Sequence, residues 1–236
     1  MSEAIIITPV KDSPETTKRT VEAISNAKGN FDYYIFNDFS QPETRQLLEQ
    51  AKTTHGFNLI HLEEITATPS PNYRLVLQMA QKMAMEQNLP LIIVESDVVV
   101  QPDTFLNLTH LAKTTSKPGM IGAITVDSSG NYNFPYTFEK KKSAEVVNTS
   151  HSLSFCCTLL TPDFLAKFGF ENLSDKKDWY DIFISRQSKR LGFNNYLAKG
   201  IEVLHLPHSS RPWKNLKYSN PFLYYWKKFF LKRDRI

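Results

Sequence analysis

The sequence has only two cysteines, and they are neighbours, Cys156 and Cys157. Adjacent thiols have poor geometry for an ordinary structural disulfide. Nothing therefore points to an oxidising compartment, and the pair reads as two small apolar-like core thiols. No apolar run approaches the roughly 20 residues that a spanning helix needs. The N-terminus, MSEAIIITPVKDS, has neither a basic n-region nor a long apolar h-region, so no signal peptide is expected. His205 and His208 have no Cys or His partners at zinc-site spacing. After the first apolar run, where a triphosphate binder would carry a glycine-rich basic loop, stands TPVKDSPET. Internal repeats, low-complexity linkers and nucleic-acid recognition motifs are missing too.

What remains is an ordinary globular composition, 41% hydrophobic and 22% charged over 236 residues, enough for one substantial core. The formal charge of +4 conceals an asymmetry. From Arg211 onward there are eight basic residues and one acidic one, Asp234, which leaves the rest of the chain mildly acidic. An acidic globule with a basic, aromatic tail is not a nucleic-acid binder, so no nucleic-acid partner is expected. The tail segment PFLYYWKKFFLKR (221–233) is too short and too charged to span a bilayer. It suits a helix lying in the interface of an anionic membrane, the alternative being a terminal helix docked on the domain.

The first half alternates strand and helix signals. Ala4–Thr8 is a doubly buried strand, and Ser13-Pro14 reads as N-cap and first position of a helix. Phe31–Phe36 is a second strand, after which Ser40-Gln41-Pro42-Glu43 reads as a capping box. A short strand at Asn58–His61 follows, then a helix beyond Pro71 through about Glu86, marked by Leu75, Met79 and Met83 with Val76, Ala80 and Ala84, and the clearest buried strand, Leu91–Val94. A helix near Pro102 and a strand over Met120–Val126 complete a βαβαβ rhythm, which argues for a mainly parallel sheet with helices on both faces. In the second half Asn131–Lys142 reads as a hairpin or mobile loop, and Ser154–Leu160 as a strand. Helices are expected over Pro162–Phe168 and Tyr180–Leu191, and short strands over Asn195–Leu197 and Glu202–Leu206.

Ligands of such sheets sit outside the carboxyl ends of the strands. Glu95 and Asp97, directly after Leu91–Val94, project from one side of an extended backbone. They would repel unless a cation lay between them, and hard oxygen ligands suit Mg2+ or Mn2+ bridging to phosphates. A solvated acidic turn is the alternative.

With IIITPVKDS at the start, NDFS at 37–40, PNYRLVLQMA at 71–80 and IIVESDVVVQPDTF at 92–105, the sequence resembles the inverting glycosyltransferases of family 2, which have the GT-A fold. The resemblance implies a GT-A domain over 1–210, with a nucleotide-binding half at 1–105 and an acceptor half at 106–210, and a tail at 211–236. It implies that Thr8, Pro9 and Val10 meet the base, that Asp38 contacts base or ribose, and that Asn72 and Arg74 lie near the pyrophosphate. Asp97 would be the principal ligand of Mn2+ or Mg2+, with Glu95 and Ser96 beside it. His205 or His208 would complete the metal shell, and Asp178 or Asp181 would be the catalytic base. Asp178 is favoured, because Asp181 suits a first-turn residue stabilised by the helix dipole. Three positions depart from the family pattern: Glu-Ser-Asp replaces Asp-x-Asp, Asn37 replaces the first aspartate of the turn, and Phe39 its glycine.

The activity implied is metal-dependent transfer of a sugar from a nucleoside diphosphate sugar, UDP by family frequency, to an acceptor hydroxyl with inversion. A glycan or lipid-linked acceptor, cell-surface glycan assembly, and a cytoplasmic location at the inner face of the membrane fit the tail at 221–236. The rivals are a sugar-nucleotide nucleotidyltransferase and a catalytically inactive GT-A-like binding protein.

Overall fold

Ile5, Ile6 and Ile7 are all buried, yet Ile5 and Ile7 belong to one core cluster and Ile6 to another. Side chains alternate across a strand, so a run of consecutive apolar residues is what a strand covered on both faces requires. Leu91–Val94 divides the same way, with Leu91 and Ile93 on one face and Ile92 and Val94 on the other.

The computed structural model describes residues 2–139, 145–174 and 179–207, with 220, 222, 223 and 226. It begins with β1 (Ile5–Val10), α1 (Pro14–Ser25), β2 (Asp32–Asn37), α2 (Pro42–His55), β3 (Asn58–His61), α3 (Tyr73–Gln87) and β4 (Leu91–Val94). It continues with β5 (Val98–Val99), α4 (Thr104–Thr114), β6 (Pro118–Val126), β7 (Val146–Asn148), β8 (Cys157–Leu160), α5 (Pro162–Lys167), α6 (Tyr180–Arg190) and β9 (Asn194–His205). The sheet order is β3-β2-β1-β4-β8-β6-β9-β5, with β7 also paired to β9. Strands β1 to β4 are parallel, and β6 and β9 share their direction. Against them run β8, inserted between β4 and β6, and β5 and β7, both on β9. Val21 and Ile24 of α1, Leu48 of α2, and Phe105 and Leu108 of α4 cover one face. Val76, Leu77, Ala80 and Ala84 of α3, Phe164 of α5 and Ile184 of α6 cover the other.

Several local expectations need correction. Ser13 does occupy the N-cap of α1 but makes no side-chain cap; its backbone is left-handed (φ 61°), whereas a capping side chain needs an extended backbone. The expected capping box at Ser40 is also absent, because α2 has Gln41 at its N-cap. Ser40 Oγ instead accepts from the Asp12 N–H at 2.9 Å, tying the loop after β2 to the loop after β1. The two short strands expected near residues 195 and 202 are one long strand, β9, whose pairing with β6 shifts register between Ala123 and Ile124. Strand β8 starts at Cys157, later than expected. The described part of the segment from Asn131 forms one isolated bridge, Tyr132 to Val126, and is pinned to β9 where Asn133 Nδ2 donates to His205 O at 3.1 Å.

Candidate active site

The carboxyl end of β4 runs into a turn closed by the Val98 N–H donating to Glu95 O. Each side of this turn is tied to a different strand. The Glu95 N–H donates to Cys156 O at 3.1 Å, extending the ladder between β4 and β8, and the Leu206 N–H donates to Asp97 O at 2.8 Å, extending that between β5 and β9. Two strands distant in sequence thereby bring Cys156 and His205 to the Glu-Ser-Asp turn.

Asp97 is 3% exposed and its Oδ2 stands 3.6 Å from His205 Nε2. The other ring nitrogen of His205, Nδ1, lies 2.8 Å from the Phe134 carbonyl oxygen. A carbonyl only accepts, so Nδ1 carries the proton and the Nε2 edge faces Asp97. Burial works against a charge on His205, but the Asp97 carboxylate, the Glu95 charge and the Phe134 carbonyl outweigh it and raise its pKa. Carboxylates that draw a proton to an imidazole will also draw a cation. Ligand atoms of Glu95, Cys156 and His205 lie within 4.8 Å of one another, which fits a divalent ion at this turn. Ser96, between the two acids, is half-buried.

Across from the turn, Asp181 sits in the first turn of α6. Burial pushes its pKa up to about 6, opposed by the Ile182 N–H that donates to its Oδ1 at 2.8 Å and reinforced by the Glu95 charge. Tyr73, at the start of α3, packs between Phe155 and Tyr180, with ring centroids 6.5 and 6.2 Å away. Its hydroxyl oxygen is buried with no hydrogen-bond partner among the described residues. Burial raises its pKa, and the charges of Glu95, Asp181 and Cys156 add to the effect.

The family model described as glycosyl transferase family 2 matches residues 5–167. The chain belongs to this family. Among solved structures, a mannosyltransferase from Pyrobaculum calidifontis, PcManGT, in complex with GDP-Man and Mn2+, superposes with TM-score 0.64 at 12% identity, over 95% of this chain and 63% of that one. S. aureus TarS 1–349 in complex with UDP gives 0.64 at 14% identity, over 92% and 64%. GalNAc-T7 with UDP, GalNAc and Mn2+ gives 0.62 at 13%, over 88% and 44%. These likenesses establish the GT-A type of fold. The chain spans less than two thirds of the length of each of the three. No curated protein sequence matches it.

In this family 2 domain the residues that the sequence resemblance assigns to the nucleotide hold the strand-end loops together. Thr8 is buried, its hydroxyl accepting from Tyr33 Oη at 3.1 Å; Pro9 is half-buried and Val10 buried. Asp38 accepts from Ser70 Oγ, the Asn72 N–H and Asn72 Nδ2, each at 2.8 Å, and so locks the loop before α3 onto the NDFS turn. Arg74 Nη1 donates to Leu173 O at 3.1 Å, linking α3 to the segment before α6. The departures from the family turn have physical reasons. Asn37 Nδ2 donates to Nδ1 of buried His61 at 2.8 Å, which an aspartate could not do. Phe39 holds φ 55°, the left-handed conformation a glycine adopts without strain, so the turn keeps a glycine's backbone without the glycine.

Asp178 and His208 lie outside the described residues. Sequence reasoning treated both cysteines as core thiols. Cys157 is one, its pKa raised to about 12 by burial. Cys156 is equally buried, but its Sγ donates to Glu95 Oε2 at 3.3 Å. Burial, with the Glu95 charge adding, raises its pKa well above the usual thiol range. Tyr73 and the Phe134 carbonyl were missed as well.

Proposed function

We propose that this domain moves a sugar from a nucleoside diphosphate sugar, UDP-linked in the first instance, to an acceptor hydroxyl with inversion. One observation carries the reading: Asp97 and His205 are buried 3.6 Å apart at the carboxyl end of β4, with the raised carboxyl of Asp181 electrostatically coupled to Glu95 beside them. The nucleotides and Mn2+ bound by structural neighbours support it.

Asp97, His205 and Glu95 would hold Mn2+ or Mg2+, which when bound neutralises charge building on the departing diphosphate. The chain's own residues do the rest. Asp181 takes the acceptor hydroxyl's proton as that oxygen attacks the anomeric carbon; a carboxyl with pKa about 6 is ionised at neutral pH yet basic enough to accept. Sequence reasoning favoured Asp178 for this role; the surroundings of Asp181 now support Asp181. The stitching of Asp38, Ser70 and Asn72 shapes the floor on which the nucleotide would lie.

The test is a titration of the full chain with nucleoside diphosphates and triphosphates, with and without Mn2+. Diphosphate binding that needs the metal is the expected result. A preference for triphosphate would favour the nucleotidyltransferase, and no binding the inactive relative.

We further propose that the tail contacts an anionic membrane and brings a lipid-linked or surface-glycan acceptor within reach. Two described tail aromatics, Phe222 and Trp226, are 83% and 45% exposed. The segment 221–233 is too short and too charged to span a bilayer, so the contact proposed is peripheral. Deleting residues 221–236 is expected to abolish sedimentation with phosphatidylserine-containing vesicles. Unchanged sedimentation would rule the contact out.

A further inference from the structure

A sulfur stands among the oxygen and nitrogen donors at the turn after β4. Cys156 Sγ is 3.3 Å from Glu95 Oε2, and Asp97 Oδ2 is 3.6 Å from His205 Nε2. Donor atoms around one tetrahedral ion, at bond lengths of about 2.0–2.3 Å, stand roughly 3.3–3.8 Å apart. Both separations fall in that range, and the Glu95, Cys156 and His205 donors share a 4.8 Å neighbourhood. Backbone pairing fixes the placement, since the Glu95 N–H donates to the Cys156 carbonyl. Cys157 is set apart, because it pairs with Val94 inside the ladder and its sulfur is not in the donor group of Glu95, Cys156 and His205.

We propose that Cys156 is a ligand of the same divalent ion that Glu95 and His205 hold, so that the site takes Mn2+, Co2+ or Zn2+ and rejects Mg2+. The proposal rests on the metal-dependent reading above and narrows it. Magnesium demands near-ideal octahedral oxygen coordination and sheds water reluctantly. A thiolate favours softer ions, with affinity rising from Mn2+ through Co2+. On ligation the Sγ–H proton leaves to solvent, and the bond that Sγ–H donates to Glu95 gives way to a sulfur–metal bond. The half-buried Glu95 is the exposed edge of the cluster through which an ion would enter.

The full chain, kept reduced, is titrated with Co2+ and followed by absorption. The expected result is a thiolate-to-cobalt charge-transfer band in the near ultraviolet together with visible d–d bands. Cys156→Ser loses the first and keeps the second, and Cys157→Ser keeps both. A hundredfold excess of Mg2+ leaves the wild-type spectrum unchanged. Visible bands without a charge-transfer band in the wild type overturn the ligand assignment while leaving the metal site standing, as does a charge-transfer band that survives Cys156→Ser. If neither Co2+ nor Mn2+ binds the wild type, the metal reading itself fails and this proposal with it.

Discussion

Asp97→Asn is expected to lower turnover by at least about 10²–10³-fold, the loss typical when a group stabilising charge in the transition state is removed. The fold should survive, because the bond that anchors this residue to β9 uses its backbone carbonyl, to which the Leu206 N–H donates. Asparagine keeps the volume of the buried side chain and removes its charge. That charge is among the groups raising the pKa of His205, so the imidazole titration, followed by NMR, should move down in the variant. Chelating the metal from the wild type should reproduce the kinetic defect. Retained turnover in a folded Asp97→Asn protein would sink the assignment of Asp97 to the metal.

The second large effect concerns Asp181. Losing a general base costs typically 10²–10⁴-fold, and Asp181→Asn is expected in that range. The pH profile of the wild type separates a base from a structural residue. Because the Asp181 pKa is raised to about 6, log kcat/KM should rise with unit slope below that pH and level off above it. The variant should lose this limb. If Asp178 is the base, Asp181→Asn will stay within severalfold of the wild type and keep the limb.

Stability should move the opposite way. A carboxyl whose pKa is higher folded than unfolded binds its proton more tightly in the native state. Its favourable contribution is therefore fully present below the unfolded value of 3.8 and is lost as pH rises through about 6. Asparagine has no such loss. In chemical denaturation the variant should gain on the wild type between pH 5 and 7.5 by on the order of 1–2 kcal/mol. A difference that does not change with pH would contradict the raised pKa.

How much of this was legible in the sequence depended on whether a signal was local. Leu91–Val94 and the acids after it could be read because a strand covered on both faces is apolar throughout and its ligand edge follows at once. Helix α3 declared itself through Leu75, Met79 and Met83, with Val76, Ala80 and Ala84, at helical spacing; all six pack on one core cluster, the last three fully buried. Ser13 was placed correctly at the N-cap, although its left-handed backbone makes no side-chain cap; Ser40 misled, because a one-residue offset puts Gln41 at the N-cap and leaves Ser40 to bond the Asp12 N–H. Cys156 was invisible as a site residue, since only the antiparallel pairing of β8 with β4 sets it beside Glu95, and sheet order is a property of the whole fold. The same holds for the Phe134 carbonyl, which meets His205 across 71 positions of sequence.

The insertion of β8 between β4 and β6 bears on modularity. Read along the chain, the sequence suggests a first half over 1–105 and a second over 106–210, as if two exchangeable blocks had been joined. In space the later block supplies the neighbour that covers β4 on its open side. Cutting between them would leave Leu91–Val94 with a bare row of N–H and C=O groups, a template for pairing with another molecule. It would also remove the Cys156 carbonyl that anchors the Glu95 N–H. The two parts of the chain are thus one continuous scaffold, and relatives of this chain are expected to diversify by altering loops at the strand ends, not by swapping halves.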